Sequence, residues 1–345
     1  MSMLSTSIDF FGLDIDTSAL RVVQMKGGKT KTLAHYASLD IDPKIVRSDA
    51  GADKQKLAQA IRQVVADARV TTTNVAVGLP ASRTFMTVVD IDRLSPKELD
   101  QSIRLQADSL IPTPLDESKI DWSMIGDSPK EAKKVEVLLG SVPNSFVEQR
   151  LDLLESIGLN VVGFEPDGLA MTRSLMAPGT TGAALFLDIG FDASDLVLTL
   201  DEAPRLVRSI PIGSDAILRS AMQNLSVDEK QAEQFVYKFG VSSDKLEGQV
   251  LNAIKSNVDS LLSEVEKSIK FFNTRYPQQQ VSKIVLTGMA STLPEFPLMV
   301  ANRFVINVEI GNAWRNVGYP SERQNDLLAV SHKYAVAAGL AERDE

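Results

Sequence analysis

Leu185-Phe-Leu-Asp-Ile-Gly-Phe-Asp-Ala-Ser-Asp-Leu-Val-Leu-Thr199 is an apolar run that stops at Asp188, turns through Ile189 to Ser194 and becomes apolar again. It reads as a β-hairpin whose loop carries an acid, a glycine and a hydroxyl. Asp is depleted in strands, and a buried carboxylate is costly unless something compensates its charge. An Asp closing a buried strand beside Gly190 therefore points to a polar ligand. Loop amides can face a phosphate as a small nest, and the carboxylate can hold a Mg²⁺ or its waters. An ordinary hairpin whose acid caps a turn would look the same.

The amino-terminal stretch repeats this plan. In Phe10-Phe-Gly-Leu-Asp-Ile-Asp-Thr-Ser-Ala-Leu-Arg-Val-Val-Gln-Met25 an apolar strand ends in Asp14-Ile15, a short polar turn follows, and a second strand returns. Asp14-Ile15 matches Asp188-Ile189 letter for letter. One such unit in each half of a 345-residue chain suggests two similar halves. Two such hairpins facing each other across a cleft could grip one polyphosphate from both sides.

A chain of 345 residues exceeds the size at which single cores stop growing, so two or more domains are expected. The hydrophobic fraction of 44% and charged fraction of 23% are ordinary for a globular protein. A net charge of −9 argues against nucleic acid as a partner, because phosphate contacts need a basic surface. Cysteine is absent and histidine is limited to His35 and His332, which excludes disulfides, thiolate chemistry and a multi-His zinc site. No apolar stretch approaches the ~20 residues that span a bilayer, and Met1-Ser-Met-Leu-Ser-Thr-Ser7 lacks the pattern of a signal peptide. The expected location is cytosolic, with membrane association only through a partner or a surface patch.

Along the chain, Thr32–Leu39 reads as a strand, Lys54–Ala68 as an amphipathic helix and Asn74–Leu79 as a buried strand. Residues 84–157 read as an inserted α+β subdomain. It opens with the strand Phe85–Ile91, and its first helix is announced by Ser95-Pro96-Lys97-Glu98. Ala177-Pro-Gly-Thr-Thr-Gly182 is the most linker-like stretch. The second half repeats three strands and then carries a long helical pattern from Leu246 to Phe272, ended by Tyr276-Pro277. Ser282–Thr287 reads as a buried strand entering the Gly288 turn, and Tyr334–Ala341 as a helix of small residues. The expected division is 1–83 with 158–180 as a first core, 84–157 as its insert, 181–213 with 281–345 as a second core, and 214–280 as the insert of the second half.

Five landmarks stand in one order: the Asp14 hairpin, Glu165-Pro166-x-x-x-Ala170, the Asp188-x-Gly190 hairpin, Thr287-Gly288, and Tyr334-Ala-Val-Ala-Ala-Gly339. That order resembles the actin/Hsp70/sugar-kinase ATPase superfamily. The insert, Ile111-Pro112-x-Pro114 and Gly158-Leu159-x-x-x-Gly163-Phe164-Glu165-Pro166 look more specifically like the PilM family of actin-like type IV pilus assembly proteins, relatives of the division protein FtsA. The resemblance implies an α/β actin-like ATPase fold: two RNase H-like domains, an inserted α+β subdomain in the first and a helical-sheet subdomain in the second. It implies ATP with Mg²⁺, and a scaffold in pilus assembly and twitching motility, peripheral to the inner membrane.

By the same resemblance Asp14, Thr17, Ser18 and Arg21 fall on a first phosphate loop, and Asp188, Gly190, Asp192 and Ser194 on a second, with Asp14 and Asp188 as the metal-side acids. Glu165 stands where relatives order the attacking water, Gly213 where backbone passes the phosphates, Glu233 at the ribose, and Gly288 with Met289 on the adenosine loop. Three positions depart from the pattern. Asp16 replaces a phosphate-loop glycine, Val236 a ribose-contacting lysine, and Met289 a second glycine. Each removes a cation or a small residue, and together they imply weakened hydrolysis and weakened or lost nucleotide binding. The implied partner is the amino-terminal peptide of a PilN-like bitopic membrane protein, expected around Phe85, Val88, Leu99, Ile103, Leu110, Ile111 and Pro112. A pilus motor ATPase and self-association are further implied partners. The competing reading is a small-molecule kinase of the same superfamily, for which Asp16 would be the base.

Overall fold

A computed structural model describes residues 8–28 and 30–343, so Met1–Ser7 and the last two residues lie outside the described residues. The chain begins with β1 (Phe11–Ile15), β2 (Ala19–Lys26) and β3 (Thr32–Asp40), then α1 (Pro43–Arg47), α2 (Gly51–Ala68) and β4 (Asn74–Leu79). The middle carries β5 (Phe85–Asp92), α3 (Pro96–Leu110), β6 (Ser118–Asp127), β7 (Lys134–Pro143), α4 (Asn144–Ser156), β8 (Asn160–Pro166) and α5 (Asp167–Leu175). The remainder is β9 (Ala183–Ile189), β10 (Ser194–Leu200), β11 (Ala203–Ile210), α6 (Ser214–Leu225), α7 (Glu229–Phe239), α8 (Gln249–Arg275), β12 (Val281–Thr287), α9 (Phe296–Phe304), β13 (Asn307–Ile310), α10 (Gln324–Val330) and α11 (Ala335–Ala341).

These elements form two compact units. Unit one comprises the described residues up to Pro80, Val147–Ala177 and the described residues from Asn312; unit two comprises Ala81–Phe146 and Pro178–Gly311. Each holds a five-stranded sheet of the same design. In unit one the order is β3-β2-β1-β4-β8, and in unit two β11-β10-β9-β12-β13. In both, the first three strands in sequence are antiparallel and the last two join in parallel. The two Asp hairpins are thus equivalent β1–β2 and β9–β10 corners of duplicated sheets, as their matching sequences predict.

Local signals account for much of this. In unit one, Leu57, Ile61, Val64 and Ala68 of α2 lie on one stripe and are buried against Phe11, Leu13, Val75 and Val77. The α3 start is a capping box: Ser95 N–H donates to Glu98 Oε2 at 3.1 Å. The long α8 buries Ile254, Val258, Leu261, Val265 and Phe272 in the unit-two core. It starts at Gln249 rather than Leu246, because Leu246 and Glu247 take positive φ of 47° and 52°, which ends helical continuity. Among the described residues no helix is long and apolar enough to cross a membrane.

Two groupings differ from the expected division. Residues 312–343 pack with unit one, not with the second core. Trp314, Tyr334 and Ala337 bury themselves with Val23, Met25 and Leu33, and α11 lies on α5. The small side chains of α11 make this possible, since Gly339 lets the helix meet the Ala170 carbonyl directly. The inserted sheet, β5-β7-β6, is by contact part of unit two, where buried Glu136 of β7 holds Arg205 of β11 and Arg275 of α8.

Candidate functional site

The hairpin register places Asp14 directly across from Arg21. Both side chains are buried, and Arg21 Nη1 donates to Asp14 Oδ2 at 2.9 Å. Asp16 Oδ2 accepts from the same nitrogen at 3.3 Å, and Asp16 Oδ1 accepts from Thr17 N at 2.7 Å. The Ser18 carbonyl accepts from Ile41 N at 3.0 Å. Arg21 is therefore bracketed by two carboxylates of its own loop. Burial pushes the Asp14 carboxyl up to about 6, against the pull of Arg21 and with the help of the negative Asp16. Nearby His332 is pushed down to about 4, first by burial and then by the positive Lys333 and Arg21.

In unit two, Gly190 N donates to Ala193 O at 3.0 Å, closing the β9–β10 loop. The loop is seated on the start of α6: Ser214 N donates to Gly190 O at 2.9 Å and Asp215 N to Phe191 O at 3.0 Å. Ser194 Oγ donates to Ile212 O at 2.6 Å. These bonds bring Gly190, Ser194 and Gly213 together. They also engage the first amides of α6, which would otherwise suit an anion. Gly288 takes φ +82°, and a Cβ there would lie 2.3 Å from Asp188 Oδ1, so the β12 turn closes on the Asp188 carboxylate. Met289 follows as the first residue of a 3₁₀ turn, and Asp192 is exposed at the loop tip. Glu233 is exposed on α7, where its charge joins burial in raising the Tyr237 hydroxyl, whereas Val236 is buried in the unit-two core.

Glu165 is the penultimate residue of β8 in unit one and is clamped by Arg173 of α5, whose two terminal nitrogens each donate to one carboxylate oxygen. Arg173 Nη1 also donates to Gly339 O at 2.7 Å. Asn316 Nδ2 donates to the Arg173 and Met176 carbonyls at 3.0 Å, tying the segment after Asn312 to α5. Glu342 completes this cluster. Burial pushes it up to about 7, opposed by Asn316, Arg173 and Lys31. A raised carboxyl favours the neutral form in the fold, so its contribution to stability is complete below about 4.5 and lost as pH rises through about 7. Asp14 adds to the same slope between 3.8 and about 6. Glu342→Gln is expected to flatten the upper part of this decline and to raise the melting temperature at pH 8 but not at pH 4. Melting followed by Trp314 emission in a Trp122→Phe background is the check, and an unchanged pH profile would refute the assignment.

The residues expected at a peptide surface divide in two. Leu99, Ile103 and Ile111 are buried in the insert's own core with Ile91, Val135, Val137 and Leu139. Phe85, Val88 and Leu110 are half-buried, and Pro112 is exposed. Helical periodicity on α3 marks the face that packs the insert, which is why Leu99 and Ile103 carried the strongest apolar signal. The pairing of Glu165 with Arg173 and the buried Glu136 cluster went unread, since neither partner choice has a local signature. Among the described residues no group of three or more acids or histidines is arranged to hold a metal.

Residues 12–345 match the family model described as type IV pilus assembly protein PilM. The chain belongs to the PilM family. Among solved structures, the PilM-PilN type IV pilus biogenesis complex contains a chain similar over 97% of this one and 98% of its own length, with 24% identity and a TM-score of 0.84. The ethanolamine utilization protein EutJ from Carboxydothermus hydrogenoformans gives 0.58 at 11% identity, covering 96% and 88% of the two chains. MreB 5 of Spiroplasma citri, solved with AMPPNP, gives 0.56 at 10% identity, covering 96% and 95%. These likenesses establish the actin-like ATPase fold for this PilM-family chain.

Proposed function

We propose that this PilM-family chain acts as a non-hydrolysing scaffold of type IV pilus assembly that holds the amino-terminal peptide of a PilN-like membrane protein. The observation that supports it most is that two of the three acids a hydrolytic centre would need, Asp14 and Glu165, are already paired with arginines. Asp14 is bound to Arg21 and Glu165 to Arg173. The residues present do not fit a hydrolysing Mg-ATP centre, because phosphoryl transfer depends on free cations and positioned acids. Here the loop cation Arg21 faces two carboxylates, and the amides at the start of α6 face loop carbonyls. The kinase alternative loses its base by the same geometry, since Asp16 is held by Arg21. The backbone turns at Gly190, Gly213 and Gly288 keep the shape of a nucleotide site, and weak ATP binding there is part of the proposal. For the peptide, Phe85, Val88, Leu110 and Pro112 are the available side chains.

Mg-ATP turnover is expected to stay at the level of a protein-free blank. Asp16→Gly should remove one of the two carboxylates facing Arg21, leaving its bond to Asp14 in place, and tighten ATP binding by about tenfold in titration calorimetry, still without turnover while Glu165 stays clamped. Steady hydrolysis by the unaltered chain would sink this reading. A synthetic PilN-like amino-terminal peptide should slow hydrogen exchange within residues 85–112, and protection confined elsewhere would count against it.

A further inference from the structure

Unit one contains a hollow of about 330 Å³ at the carboxyl end of α2. Arg62, Val65 and Ala66 line it from α2, Arg69 from the residue that caps this helix, and Ile157 and Leu159 from the turn between α4 and β8. Its floor is apolar, its two charged side chains are both guanidinium groups, and no acid among the described residues lines it. Arg62 and Arg69 are exposed, and neither makes an ion pair, a side-chain hydrogen bond or a ring contact among the described residues. Asp67, the acid nearest them in sequence, accepts from Gln63 Nε2 at 2.8 Å instead. Asp and Glu outnumber Lys and Arg by 45 to 36 in this chain, and other arginines do meet carboxylates, as Arg21, Arg104, Arg173 and Arg275 show. A hollow framed by two unmatched cations is complementary to an apolar group carried between two acids.

Helix α3 carries that pattern. Leu99, Ile103 and Ala107 are buried along its inner stripe. The opposite stripe holds Leu105, 82% exposed, with Glu98 two turns before it and Asp108 one turn after it. Glu98 uses only Oε2 in its capping box, and Asp108 makes no ion pair among the described residues. A single exposed leucine is ordinary. One set between two acids, on a chain that also holds an apolar hollow between two unmatched arginines, has a complement of its own. Along the helix axes the arginines stand about 10 Å apart and the acids about 15 Å, a difference that flexible arginine stems can span. Leu105 is uncovered and Arg62 and Arg69 are unmatched within the single chain, so neither half is already occupied.

We propose that these two surfaces bind each other between copies of this chain: Leu105 of one copy enters the α2 hollow of the next, and Glu98 and Asp108 meet Arg62 and Arg69. The two faces of the contact differ, so each bound pair leaves one free leucine and one free hollow, and association continues head to tail. One apolar side chain and two exposed ion pairs make a small contact, so assembly is weak and depends on concentration. None of these six residues is assigned above to the nucleotide loops, and none is among the side chains offered to the PilN-like peptide. The inference therefore stands or falls independently of the function proposed above.

The test is sedimentation velocity of the full chain from about 5 to about 200 µM. The average sedimentation coefficient should rise with concentration, and rise less at about 500 mM salt than at about 50 mM. Leu105→Lys, and separately Arg62→Glu with Arg69→Glu, should each weaken self-association about tenfold or more. All three positions are exposed, and thermal melting by circular dichroism should show each variant folded. Mixing the variants gives the decisive result. Leu105→Lys keeps a working hollow and the double arginine variant keeps a working leucine, so the mixture should form a one-to-one dimer that grows no further. Leu246→Lys, at another exposed leucine with acids beside it, should change nothing. A single monomeric species at every concentration would overturn the proposal. So would association indifferent to salt or to Leu105→Lys, or mixed variants that stay monomeric while the unaltered chain assembles.

Discussion

Glu136→Ala should destabilise unit two by about 3–5 kcal/mol, the loss typical of stripping one partner from a buried ion cluster. Glu136 is 1% exposed and takes charge-assisted bonds from two arginines, with Arg275 Nη2 at 2.6 Å and Arg205 Nη1 at 2.5 Å. The Tyr276 hydroxyl donates to it at 2.7 Å. Burial and this bond together raise the tyrosine well above its ordinary value, so Tyr276 stays a donor across the working pH range. Asp90 takes the remaining contact, accepting from Arg275 Nη2 at 2.9 Å. Two cations and two anions balance. Removing Glu136 leaves Arg205 with no carboxylate partner among the described residues and Arg275 with only Asp90. The insert sheet is joined to β11 and α8 through these same bonds, so exchange should accelerate in β5, β7 and the end of α8. A loss under about 1 kcal/mol would mean that solvent reaches the cluster, as it does for surface pairs. Glu136→Gln should lie between the two, since it keeps one acceptor and loses the charge.

Gly339→Ala should destabilise unit one by about 3 kcal/mol or more. A Cβ at this position would sit 1.7 Å from the Ala170 carbonyl oxygen and 2.4 Å from its carbon. Both atoms are backbone of α5, so no side-chain rotation can relieve the overlap, and α11 must move away. Ala is preferred over Gly inside a helix by up to about 1 kcal/mol, too little to compensate. Moving α11 also breaks the Arg173 bond to the Gly339 carbonyl and disturbs the Tyr36, Trp314 and Tyr334 ring cluster. Trp314 emission should therefore report the change directly. Gly51→Ala is the control. No atom lies within 4 Å of its would-be Cβ, and its effect should stay within about 0.5 kcal/mol. Equal behaviour of the two variants would show that α11 does not need its close approach.

Much of the architecture was written into short-range pattern. Alternating and continuous apolar runs marked β1, β2, β4, β9, β10 and β12, the capping box marked α3, and the paired Asp-Ile turns marked the duplication. These features depend on residues a few positions apart, where strand pleat, helix pitch and turn chemistry act directly. The same pattern misplaced the start of α8 and passed over α1, a helix of five residues with no buried side chain to give it a stripe. The candidate site was legible as residue types but not as charge states. Asp14 with Arg21 could be paired from hairpin register, whereas Glu165 with Arg173, Glu136 with Arg205 and Arg275, and the return of residues 312–343 to unit one required the folded chain. Apolar burial is specified by sequence periodicity because any apolar neighbour satisfies it. A buried charge is satisfied only by one particular partner, and which distant residue arrives beside it is decided by tertiary packing.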